Sequence, residues 1–161
     1  MLTAVVASLE RKINEISVAE IIQETQEEPK IFYEEESSFP FNEKTIYTFT
    51  QSGFALTCTS SQKLYKAIFY LQAENNFNKY VDKDNFFAPF IKLNDALDYF
   101  GKPHHDCRVD EVHFYYFQKL NYWIILKFGI NDNLITCNFV ASSALSSQFN
   151  NLGLKIRTCK V

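Results

Sequence analysis

The side chains that could hold a metal or carry a nucleophile crowd into one stretch of this 161-residue chain, His104-His105-Asp106-Cys107, with His113 shortly after it. A structural zinc site draws four nitrogen or sulfur ligands from two pairs at set spacing. Here one dense group has no second pair, and adjacent histidines of an extended chain point in opposite directions. The stretch reads as a polar surface loop, with a metal site at His104, His105 and Cys107 as the alternative. A nucleophile at Cys107 would need His105 as base and Asp110 as orienter, presented on a sharp turn. The chain has four glycines in all and no such elbow. No catalytic residue and no cofactor are expected. Neither a P-loop nor a GxGxxG run offers a phosphate cradle. The lysines are scattered and the pI is about 5.6, which argues against nucleic acid as a partner.

The remaining chemistry is that of recognition. Glu34-Glu35-Glu36 stands beside Tyr33 and ahead of Phe39 and Phe41, joining negative charge to aromatic rings, and Asp82, Asp84, Asp110 and Glu111 flank the second half of the chain. A cationic protein would be steered to such groups over a distance and anchored by the rings. The same charges could instead keep an edge strand from pairing with another molecule. The net charge of −3 hides a polarity: residues 1–43 hold ten acids against Arg11, Lys12 and Lys30, a balance of −7, and the rest of the chain carries +4.

Two aromatic-rich three-run patterns must position these groups. The first is Thr45–Thr50, Phe54–Cys58 and Leu64–Leu71, with Gly53 supplying a positive φ in the first turn. The second is Val112–Phe117, Tyr122–Phe128 and Leu134–Val140. Short β-favouring runs between turn residues predict antiparallel meanders, about six strands in total, their order open. Ile31-Phe32-Tyr33 reads as an edge strand or a loop. Ahead of the meanders, Leu2, Val5, Val6, Leu9, Ile13 and Ile16 share one helical stripe from about Thr3 to Glu15, with Thr3 as cap, and Ser17-Val-Ala-Glu20 has capping-box form for a second helix ending before Pro29. Between the meanders, Phe86–Ile91 reads as an irregular plug. Asn94 should cap a short helix, Asp95–Phe100, that Gly101 ends. Residues 141–153 read as a polar tail before a β-like Leu154–Arg157.

The expected architecture is α+β and a single domain, 1–161: helices in 1–28 packed on a mainly antiparallel sheet of two three-stranded meanders (44–71 and 94–140), the latter opened by the short helix. Sixteen Phe and nine Tyr supply the core and the sheet rim. Four well-separated cysteines without a CxxC pair, no secretory leader and no run of the ~20 apolar residues that span a bilayer predict a cytoplasmic protein with reduced thiols and no membrane contact.

At Asp95-Ala-Leu-Asp-Tyr-Phe-Gly-Lys-Pro103, a short helix ends in a hydrophobic-Gly-x-Pro element, and Trp123–Phe128 and Leu134–Phe139 follow as strands. With Gly53–Leu56 and Lys63–Ile68 upstream, this pattern, from about Lys44 to Val140, resembles small bacterial immunity proteins of the pyocin, colicin and contact-dependent-inhibition kind. A helix-Gly-x-Pro element before a meander also occurs in envelope lipoproteins of the OmlA type, which carry a lipobox cysteine and a signal not found here. The resemblance implies a cytosolic antitoxin that binds one cognate toxin domain, one with a basic contact surface, and brings no site residues with it. The alternative is a small enzyme or a ligand- or metal-binding domain using the concave sheet face.

Overall fold

A computed structural model describes residues 2–7, 9, 18–35 and 43–143. Two short helices, α1 (Leu2–Ala7) and α2 (Val18–Thr25), precede β1 (Lys30–Glu35), β2 (Glu43–Phe49), β3 (Phe54–Thr59) and β4 (Leu64–Tyr70). A linker with a 3₁₀ turn, Ala88–Phe90, leads to α3 (Leu93–Phe100), then β5 (His105–Val109), β6 (Val112–Gln118), β7 (Tyr122–Phe128) and β8 (Leu134–Ala141).

All eight strands form one antiparallel sheet in the order β1-β2-β3-β4-β8-β7-β6-β5. Each half is a helix followed by a four-stranded meander, and the halves join antiparallel through β4 and β8. That palindromic order is what two like units give when they pair about a two-fold axis perpendicular to the sheet. The expected meanders of three strands are therefore each one strand short. β1 is the edge strand that Ile31-Phe32-Tyr33 allowed for, and the His105–Val109 stretch, expected as a loop, is the opposite edge. An edge strand pairs on one side only, so it can carry polar residues without an apolar alternation to announce it.

The register sorts side chains onto two faces. Phe49, Phe54 and Phe69 stand opposite one another on β2, β3 and β4, with ring centroids 4.5 and 5.8 Å apart. Leu56, Leu126, Cys137 and Phe139 continue this face, and Val5, Ile21 and Ala96 from the three helices pack on it. Each fully buried Phe contributes roughly 1.5–3 kcal/mol through apolar burial. The plug works as expected: Phe87 and Phe90 are fully buried in the same core. The opposite face carries no described helix and holds a small second cluster, Trp123 and Val140 with Tyr65, Tyr116 and Ile125. Thr57 is buried there because Ile46 and Lys66 flank it in register.

Helix ends depart from expectation at two points. α3 begins at Leu93, after Lys92, so Asn94 lies inside the helix and caps nothing. Gly101 does end it, at φ +80°, with its N–H on Leu97 O at 2.8 Å. Thr3 lies inside α1. α2 stops where Gln26 turns to φ +55° while donating to Ile22 O. Residues 10–17, including the Ser17 capping position, and the β-like 154–157 lie outside the described residues.

Candidate functional site

The end of α2, the β2–β3 turn and the linker after β4 meet at one place. The buried Glu27 carboxylate accepts the N–H of Gln51 at 2.9 Å and of Ser52 at 2.7 Å, tying the helix exit to the turn. Gly53, at φ +76°, donates to Phe49 O, and its carbonyl accepts Tyr70 N–H. The linker then crosses the turn: Asn78 N–H donates to Thr50 O at 2.8 Å and Tyr80 N–H to Tyr70 O at 2.6 Å. Only glycine permits this crossing, since a Cβ at position 53 would stand 2.4 Å from Asn78 O.

These contacts shape a cavity of about 270 Å³ lined by Glu24, Thr25, Gln51, Ser52, Tyr80 and Asp84 among others. Burial, then the charges of Asp82, Asp84 and Glu24, push the Tyr80 phenol well above its ordinary value. Glu24 and Asp84, from two distant segments, line this cavity together with Lys83, and the charge of Asp82 is also felt at the Tyr80 phenol, so the recess holds two carboxylates beside one resident ammonium. Val81, 69% exposed, stands on the shared wall with a second, mostly apolar hollow of about 460 Å³ that includes Leu71, Phe87, Ala88 and Ile91. An acidic recess beside an apolar one, with an exposed aliphatic ridge between, matches a basic side chain next to an apolar one.

The residues singled out from the sequence do not form one site. Asp84 lines the recess and is exposed. Asp82 faces Tyr80 while its Oδ2 accepts Phe87 N–H at 2.7 Å, so it also shapes the linker. Tyr33 is 78% exposed on β1, and Glu34 pairs with Lys44 at 2.9 Å. Glu35 stands opposite Glu43 on the backbone ladder, and Glu36 lies outside the described residues. Asp110 and Glu111 form the β5–β6 turn, with Asp110 at φ +51° and its carbonyl accepting Arg108 Nε–H. That turn belongs to the edge opposite β1, seven strand spacings or roughly 34 Å along the sheet from Glu34, so the acidic groups cannot share a contact.

The histidine stretch is likewise dispersed. The His104 ring packs edge-on against Trp123, and that of His105 tilts over Tyr116. Burial lowers the His105 pKa, partly opposed by Asp106. Cys107 is disulfide-bonded, while Cys58 and Cys137 are free and buried. This corrects the expectation of uniformly reduced thiols and removes Cys107 as a free ligand. Among the described residues no group of three or more His, Cys, Asp or Glu could hold a metal. His113 instead bridges Asp106 Oδ2 and Tyr115 Oη, each at 3.0 Å, an array that cross-strand register creates and sequence spacing does not announce. Nothing local in the sequence distinguishes Glu24 and Glu27 from the other acids around the same helix.

No family model matches the chain, and no curated protein does. Among solved structures, a DUF4309 family protein (YjgB) from Bacillus subtilis is similar at a TM-score of 0.47 and 10% identity, over 77% of each chain; at that level the likeness describes neither fold nor function. No helix among the described residues is long and apolar enough to cross a membrane.

Proposed function

We propose that the chain is a catalytically inert binding protein that neutralises a cognate bacterial toxin domain by direct contact, through a basic surface on that domain. The observation that carries this reading is the recess lined by Glu24, Asp84 and Tyr80 beside the exposed Val81, where the charges of Glu24, Asp82 and Asp84 all act on the Tyr80 phenol. A lysine or arginine of the toxin would enter between the carboxylates, and its apolar neighbours would cover Val81 and the adjoining hollow. Carboxylates speed encounter, and the rigid apolar wall slows release. The cytosol is where such an antitoxin would act.

Titration calorimetry against a purified cationic toxin domain encoded beside this chain tests the reading. A complex at or below micromolar concentration is expected, and Asp84→Lys should weaken it at least roughly tenfold by placing like charges together. Absence of a complex, or a complex indifferent to Asp84→Lys and Val81→Asp, would sink it. A second reading, a small-ligand domain, draws on the 460 Å³ apolar hollow, which falls in the size range of ligand sites. A thermal-shift screen separates the two, since a true ligand stabilises the native state by mass action.

A further inference from the structure

The β1 edge carries a second, separate surface. Ile31, Phe32 and Tyr33 are 46%, 49% and 78% exposed, three consecutive large apolar side chains on a strand whose outer backbone groups have no neighbouring strand among the described residues. Exposed apolar edges of this kind are what soluble proteins avoid unless something pairs with them. The opposite edge, β5, shows the usual protection: Asp106 and Arg108 are exposed, and no large apolar side chain of that strand is.

We propose that β1 pairs antiparallel with β1 of a second copy of this chain, joining two sheets into one continuous sheet across a two-fold axis. The strand's own order of residues carries the choice of occupant. For the helix-bearing faces of both copies to lie on the same side, side chains of like face must stand opposite each other, and a register centred on Phe32 does this. It sets Phe32 against Phe32 of the second copy and Ile31 against Tyr33 of the second copy, twice. It also sets Lys30 against Glu34 of the second copy, twice, both on the helix-free face. The Glu34 carboxylate, held by Lys44 at 2.9 Å, has lone pairs left for a second cation. Opposed cross-strand charges and paired aromatics both favour a ladder, and the axis doubles each contribution. A strand that matches itself in charge and in shape points to a copy of itself before any other peptide.

Sedimentation equilibrium over a range of concentrations reads the outcome, with circular dichroism to verify that each variant is folded. The wild type is expected to dimerise. Lys30→Glu or Glu34→Lys alone should raise the dimer dissociation constant by roughly tenfold or more, because each places like charges opposite each other at both symmetric positions. Mixing K30E protein with E34K protein restores opposite charges at both pairs, so the mixture should form a heterodimer that neither variant forms alone. A wild type that stays monomeric, a dimer indifferent to both variants, or a mixture that fails to associate would each overturn the proposal, the second by placing the contact at β5 or elsewhere.

Discussion

A Cβ built on Gly53 would stand 2.5 Å from the backbone nitrogen of Tyr80, so the first hairpin turn and the linker between the two halves meet backbone against backbone. The floor of the acidic recess depends on that approach, because Tyr80 is held there through its bond to Tyr70 O.

Gly53→Ala should therefore destabilise the protein by about 2 kcal/mol or more, through positive-φ strain together with the clash. Gly129→Ala is the control: there the nearest atom is the Ile135 Cδ1 methyl at 3.1 Å, the mobile end of a side chain. Urea unfolding of both variants checks the difference, and a cost for Gly53→Ala no larger than for Gly129→Ala would refute it.

Glu27 joins α2 to the same turn through two backbone N–H groups. Glu27→Ala leaves both donors without their carboxylate and should cost about 1.5–3 kcal/mol. Amide exchange at Gln51 and Ser52 is expected to accelerate more than at β7, which the substitution does not touch.

Burial pushes the Cys58 thiol up to about 12 and raises Cys137 well above its ordinary value. Thiolate is the reactive species, so neither residue should react with a disulfide reagent at neutral pH while the protein is folded. Peptide mapping by mass spectrometry should find both labelled only after unfolding; modification of Cys58 in the native protein would contradict the burial.

Stability should be greatest between about pH 6.5 and pH 9, the ordinary values of histidine and of the thiols, since the raised Cys58 and Cys137 lose their contribution above pH 9. The fold lowers His105, so the unfolded chain binds the extra proton first and stability is lost as pH falls below 6.5 through the folded value. It raises Tyr47, Tyr70, Tyr80, Tyr115, Tyr116 and Tyr122, chiefly by desolvation, so stability present below pH 10 is lost as pH rises above it. Phenolate absorbance followed through an alkaline titration should rise late and together with unfolding. Asp84→Asn should bring the Tyr80 phenol down, since that carboxylate is one of the charges raising it.

Local pattern was enough to reveal six of the eight strands, the short helix before Gly101 and the need for glycine at position 53. Those features depend on alternation, turn chemistry and φ, which neighbouring residues settle among themselves. β5 escaped because His105, Asp106 and Arg108 look like loop residues; the pairing of Asp106 with Tyr115 and Arg108 with His113 is what makes them a strand. The single sheet, with β4 joined to β8, was likewise out of reach, since sixty-odd residues separate Phe69 from Cys137 and no local preference chooses that partner over another edge. The acidic groups show the same division. Composition announced a charged, aromatic surface, yet which carboxylates converge was decided by the chain crossing at Gly53, where Glu24 from a helix and Asp84 from a linker come to face one buried phenol. Charge is written residue by residue, but a site is a distance in space, and only the packed core sets distances between segments that far apart.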